Sequence, residues 1–249
     1  MSGRRVVYGL GPVGELLRAH GQEIDCIFVS EKRLAKGGDP AAKLIAEAKN
    51  RSLRWSAVGQ AELDRLVKDG THQGVVAITG AYNYSEMQDI VEGAGKPGLI
   101  VALDGVTDPH NLGAIVRSAL LLGADGILLP KDRSAKVTAL VTKTSAGATE
   151  HLPIAQVTNL VRAIEELKED GYWSAALASG PKAMPLQSLD ASMPLVLVMG
   201  SEGKGVRNLV GKVCDFHLEI PMQASAVGSF NVSVAAGIAL YEVARQRQA

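Results

Sequence analysis

The chain has 249 residues, 47% hydrophobic and 4% aromatic, with 26 Lys+Arg against 26 Asp+Glu. That length allows one or two domains, and the Ala, Val, Leu and Gly excess suits packed α/β layers rather than an aromatic-rich β-sandwich. Zero net charge excludes a uniformly basic nucleic-acid binder, so any RNA attraction must come from local patches.

Residues 1–80 carry 12 basic and 9 acidic side chains, and 81–249 carry 14 and 17. The first stretch reads as a compact α/β module. Helices are predicted over Val13–His20, Pro40–Asn50 and Gly59–Lys68, and strands over Ile24–Ser30 and Gly74–Thr79. At its start, Gly9-Leu-Gly11-Pro-Val-Gly14 follows VVY and spells the dinucleotide fingerprint, with Glu31 at about the distance of the expected acidic residue. Three features oppose that reading. The strand is about four residues long, Pro12 removes an amide from the turn, and the module is too short for a complete dinucleotide fold. The segment therefore reads as a tight turn opening a helix, with an NAD-dependent oxidoreductase as the competing enzyme.

Residues 81–97 are polar, end in Gly-Lys-Pro and read as a linker. From 98 to 249 the α/β pattern is strong. Strands are predicted over Leu99–Leu103, Gly126–Leu129, Trp173–Ala178, Leu195–Met199 and Phe216–Ile220. Helices are predicted over Leu112–Leu122, Lys136–Ser145, Leu160–Asp170 and Val232–Gln246. Continuous apolar strands separated by helices indicate a parallel sheet covered on both faces. Cys26 and Cys214 read as small buried hydrophobes, and no spacing of His or Cys suggests a metal. No signal-peptide-like or membrane-spanning run of about 18 apolar residues occurs, so a cytoplasmic protein is expected.

Three strand–loop–helix junctions carry the polar residues. In the first, Leu103–Pro130, a strand ends at Asp104 and a helix opens around Asn111, for which helix capping is the simplest role. Arg117 lies six residues on in an apolar helix, where an Arg needs a carboxylate partner or faces a phosphate or substrate. In the second, the strand LVLVM runs into Gly200-Ser-Glu202-Gly203-Lys-Gly205, which lacks the Ser or Thr of a phosphate loop. In the third, Leu218–Arg247, Ser229 or Asn231 caps a long helix. Loops after parallel strands share one edge of the sheet, where α/β folds bind ligands.

Together these segments, with VYGLGPVGELL, THQGVVA, PKDRSA and VTNLVRA, resemble the TrmH (SpoU) branch of the SPOUT methyltransferases over nearly the whole chain. Within it they resemble the RlmB-type subgroup, which methylates a guanosine 2′-hydroxyl in 23S ribosomal RNA. The resemblance implies a small α/β RNA-binding domain (1–80), a linker (81–97) and a SPOUT domain (98–249) whose parallel sheet is trefoil-knotted. It further implies a homodimer with active sites at the subunit interface and a substrate in the peptidyl-transferase region. S-adenosylmethionine, with no metal, would lie against Met199, Gly200, Gly205, Ile220, Met222, Ser229 and Phe230. Asn111, Arg117, Glu202, Ser229 and Asn231 would be the polar active-site residues, with Glu202 either orienting Arg117 or taking the hydroxyl proton through water. Gly11 replaces a His common in the family, and Phe230 a Leu. A transfer-RNA or other ribosomal substrate, or a non-catalytic RNA-binding protein on this scaffold, are the alternatives.

Overall fold

The computed structural model describes residues 3–68, 70–180, 182–223 and 228–248. Two compact units divide the chain: Met1–Asn83 with Lys136–His151, and Tyr84–Ala135 with Leu152–Ala249.

The first unit is built on β1 (Arg5–Tyr8), β2 (Ile24–Ser30), β3 (Trp55–Val58) and β4 (Val75–Thr79), in the spatial order β1-β4-β2-β3. β4 runs antiparallel to β1 and β2, while β3 is parallel to β2. The alternating pleat sends Val7, Ile27, Val29, Val75 and Ala77 to one face, where α1 (Leu10–His20) and α3 (Pro40–Asn50) cover them. The opposite face, with Tyr8, Val58 and Val76, packs against Leu63 of α4 (Gln60–Leu66). A single helical turn, α2 (Glu31–Leu34), follows β2. The Gly9–Gly14 segment is the tight turn opening α1. Gly9 sits at φ +97° and ψ 147°, backbone that residues with a Cβ rarely adopt, so the conformation of the turn accounts for this glycine.

In the second unit, α5 (Met87–Gly93) lies inside the segment expected to be a linker, and its Ile90 is buried in the core. β5 (Leu99–Asp104), α6 (Pro109–Leu121) and β6 (Gly126–Pro130) follow. Lys136–His151, carrying α7 (Ala139–Thr144), then joins the first unit, where Arg5 and the buried Glu150 form a two-pronged ion pair at 3.0 and 2.5 Å. The second unit resumes with β7 (Ile154–Val157), α8 (Leu160–Glu169), β8 (Trp173–Leu177), β9 (Met184–Pro185), β10 (Leu195–Gly200), α9 (Asn208–Val213), β11 (Phe216–Glu219) and α10 (Val232–Arg247).

Its seven strands form one sheet, β7-β6-β5-β10-β8-β11-β9, parallel throughout as the apolar strand runs predict. Helices α5, α8 and α9 bury Ile90, Ile164, Leu167 and Val210 on one face. Helices α6 and α10 pack together over the other face. The order of strands reverses between β5 and β10, whose ends lie side by side with Gly200 opposite Asp104. Such a switch point opens a crevice beyond the carboxyl ends of the strands. No helix among the described residues is long and apolar enough to cross a membrane.

Candidate active site

The three junctions singled out in the sequence converge on that crevice. Asp108, not Asn111, caps α6: its carboxylate accepts from the His110 N–H at 2.9 Å, and Pro109 takes the first helical position. Asn111 is thereby left inside the first turn with its amide free for other work, and it is buried. Its Nδ2 donates to Glu202 Oε1 at 3.0 Å, and its Oδ1 accepts from Asn231 Nδ2 at 3.0 Å. Asn231 Nδ2 also donates to Glu202 Oε1, closing a three-membered cluster. Asn231 does cap its helix as expected, because its Oδ1 accepts from the Ser233 N–H at 2.9 Å and the Ser233 hydroxyl at 2.6 Å. Both ends of that amide are committed, which fixes its orientation.

Arg117 does not join the cluster. Six residues along a helix amount to about 9 Å of rise and a rotation onto another face. The side chain is exposed, and among the described residues it has no hydrogen-bond or ion-pair partner. Glu202 therefore holds the two asparagines within this chain, rather than orienting Arg117.

Beside the cluster lies a cavity of about 400 Å³. All seven residues expected to hold a cofactor line it: Met199 and Gly200 at the end of β10, Gly205 in the next loop, Ile220 and Met222 after β11, Ser229 and Phe230 before α10. Leu177, Leu218, Val206 and Ala235 complete apolar walls, and Lys204 and Glu219 add one charge of each sign. Gly200 admits no side chain. A Cβ there would overlap the backbone of Gly205 and Val206, so the loop folds back directly onto the strand end. Ser201 and Gly205 close that loop with two backbone hydrogen bonds, at 2.9 and 3.1 Å.

One pair of site residues escaped the sequence reading. Asp104, with no exposed side-chain surface, accepts from the Arg207 backbone N–H at 2.7 Å and from Arg207 Nε at 2.6 Å. Because Arg207 caps α9, this clamp ties the far end of the 201–207 loop to the tip of β5. The signal was present in sequence: an Asp ending a wholly apolar strand is seldom buried without a partner.

A wholly parallel α/β sheet with a glycine loop, an apolar cavity and an Asn–Glu–Asn cluster at its switch point is the ligand-binding arrangement of an α/β protein. The chain belongs to the SpoU rRNA methylase family, whose profile matches residues 98–241. The profile for RNA 2′-O ribose methyltransferase substrate binding matches residues 6–85. The chain is 42% identical to the 23S rRNA (guanosine-2′-O-)-methyltransferase RlmB of Pseudomonas putida, over 100% of this chain and 99% of that one. It is 44% identical to the putative TrmH family tRNA/rRNA methyltransferase YacO of Bacillus subtilis, over 83% of each chain. Among solved structures, it resembles the AdoMet-bound rRNA methyltransferase from Sinorhizobium meliloti at 27% identity and TM-score 0.77, covering 97% of this chain and 87% of that one. The fold also matches the SpoU methyltransferase AviRb from Streptomyces viridochromogenes, at 24% identity and TM-score 0.81, covering 99% and 91%.

Proposed function

We propose that this chain transfers the methyl group of S-adenosylmethionine to a guanosine 2′-hydroxyl of 23S ribosomal RNA. The observation that carries the reading is the Asn111–Glu202–Asn231 cluster set beside an apolar cavity at the sheet's switch point. The donor set fits the cofactor. Apolar walls and exposed loop backbone suit a neutral adenosine, and 400 Å³ falls within the roughly 300–1,000 Å³ of small-molecule sites. Full-length similarity to RlmB-type enzymes favours 23S RNA over transfer RNA.

When bound, the cofactor supplies an activated sulfonium methyl. The residues of the chain then have two tasks. The first is alignment: the walls of the cavity and the glycine loop exclude water and fix the approach, an effect that supplies on the order of 7–11 kcal/mol in well-oriented reactions. The second is proton handling. Asn111 and Asn231 donate to one oxygen of Glu202, leaving its other oxygen to take the hydroxyl proton through water, which contributes roughly 10²–10⁴-fold. Arg117, through its guanidinium, serves as phosphate anchor and stabiliser of the developing alkoxide.

Arg117 performs that role in a second copy of the chain. It shares a face of α6 with Leu121, which is 72% exposed, and α10 next to it exposes Tyr241 and Val234, one i,i+7 pair. A homodimer covers this apolar face and brings Arg117 to its partner's cluster. The remaining parts of the account follow the family: RNA binding by the first unit, a trefoil knot within 98–249, a target in the peptidyl-transferase region, and a cytoplasmic location. The test offers methyl-labelled S-adenosylmethionine with unmodified 23S RNA and unmodified transfer RNA side by side. Label on 23S RNA supports the assignment, and label on transfer RNA alone overturns its substrate.

A further inference from the structure

A second concavity, of about 780 Å³, lies wholly within the first unit. Its walls come from the edge of the four-stranded sheet where β1, β2 and β3 end and β4 begins. Leu10 follows β1, Lys32 and Arg33 follow β2, Gln60 and Asp64 stand on α4, and residues 70–74 lead into β4. The parallel pair β2 and β3 opens at this edge by its carboxyl ends, and the volume is that of a ligand pocket.

The pocket is built from fixed parts. The buried His72 accepts the Gly74 N–H on Nδ1 at 2.9 Å, and its Nε2 meets Asp64 Oδ1 at 2.9 Å. Arg33 donates to the Gln73 carbonyl at 2.6 Å and to the Asp39 carboxylate at 3.0 Å. Between these anchors Gln73 is held at φ +53°, a conformation that costs a non-glycine residue about 1–3 kcal/mol and is typical of ligand clamps.

The groups offered fall into two kinds. Lys32 is an exposed cation suited to a phosphodiester, with the Asp39-paired Arg33 beside it. Gln60 donates to Asp64 Oδ1 at 3.1 Å and Gln73 Oε1 accepts from Lys143 at 2.8 Å, which leaves the Gln60 Oε1, the second Asp64 oxygen and the Gln73 amide N–H groups for the edge of a base. Among the described residues none of those lining the space is aromatic, so a base there is read by hydrogen bonds and not by stacking. The concavity opens to solvent and has room for a nucleotide, and sequence-specific RNA recognition takes a base swung out of its stack. We propose that this pocket takes one unpaired nucleotide of the RNA substrate, its phosphate against Lys32 and Arg33 and its base against Gln60, Asp64 and Gln73. The inference rests on the RNA methyltransferase reading and gives the first unit the task of selecting the substrate by a single-stranded feature.

The test measures binding of the full-length protein to an unmodified 23S RNA transcript across a salt series, for wild type, Lys32→Glu and Gln60→Ala. Lys32 is exposed, so its reversal leaves the core untouched, and affinity for S-adenosylhomocysteine serves as the control for folding. Expected is a loss of RNA affinity of about tenfold or more for Lys32→Glu, with a shallower salt slope. A transcript carrying 4-thiouridine is expected to cross-link to peptides spanning 30–33 and 70–74. RNA affinity within twofold of wild type in both variants, with cross-links falling elsewhere, overturns the pocket assignment. A wild-type protein that cross-links at these peptides yet transfers no methyl upholds the pocket and refutes the enzymatic reading.

Discussion

Removing the Asp104 carboxylate is expected to loosen the cofactor loop without touching a single residue of the cavity wall. Asp104 makes two charge-assisted hydrogen bonds to Arg207, at 2.6 and 2.7 Å, from a side chain with no exposed surface. Bonds of this kind contribute about 1.5–3 kcal/mol each. The Arg207 side chain is 56% exposed and regains water when its partner is lost, so the net penalty for Asp104→Ala is nearer 2 kcal/mol in total. The whole penalty falls on ordering the 201–207 loop, and at 1.4 kcal/mol per decade it weakens cofactor affinity about 30-fold. Asp104→Asn keeps an acceptor for the Arg207 N–H and loses the charge, for a loss of roughly fivefold. Titration calorimetry with S-adenosylhomocysteine reads both values, and urea denaturation separates them from global unfolding. An Asp104→Ala protein that binds the ligand with wild-type affinity refutes the clamp.

Gly200→Ala drives a methyl into the Gly205–Val206 backbone, and relief breaks the paired Ser201–Gly205 hydrogen bonds. Overpacking of this kind costs about 1–3 kcal/mol or more, so cofactor affinity falls at least about fivefold, checked by the same titration. Asn111→Ala removes one of the two donors fixing Glu202 and is expected to lower kcat by about 10²-fold with cofactor affinity unchanged; an unaltered single-turnover rate contradicts the role given to the cluster. Arg117→Ala and Asn231→Ala, each inactive alone, are expected to regain activity when the two proteins are mixed, and no recovery after confirmed subunit exchange argues against a shared site. Burial, reinforced by the neighbouring Asp215 charge, pushes the Cys214 thiol up to about 12 from an ordinary value of 9.0. Between those values the unfolded chain has lost a proton that the folded one keeps, so stability falls with rising pH by up to about 1.4 kcal/mol per unit. Cys214→Ala flattens that alkaline slope in urea titrations, and an unchanged slope refutes the assignment.

The catalytic-unit fold was legible because its long strands are buried on both faces and read as continuous apolar runs, as in LVLVM of β10. What stayed hidden was short. β3 is four residues, Trp-Ser-Ala-Val, and β7 is Ile-Ala-Gln-Val, both too brief for either face pattern to declare itself. α5 was hidden in a polar stretch because one buried side chain, Ile90, anchors it. The site was legible in its members and not in its wiring. Local sequence alone offers Asn111 as a cap, and its place among the active-site residues rests on the family resemblance; Asp108-Pro109 marks the better start, with the cap three residues earlier. The bonds from Asn111 to residues 91 and 120 positions away come from tertiary packing, and no local spacing encodes them. The membership of Lys136–His151 in the first unit is likewise a long-range contact pattern, carried by pairs such as Arg5–Glu150.

The central claim is ribose methylation of ribosomal RNA by the site at the β5–β10 switch point. Its most direct test is digestion of 23S RNA, after reaction with S-adenosylmethionine, to nucleosides analysed by mass spectrometry. The account predicts a single new 2′-O-methylguanosine per RNA molecule. A methyl group on a base, or no methyl group despite cofactor binding, contradicts it.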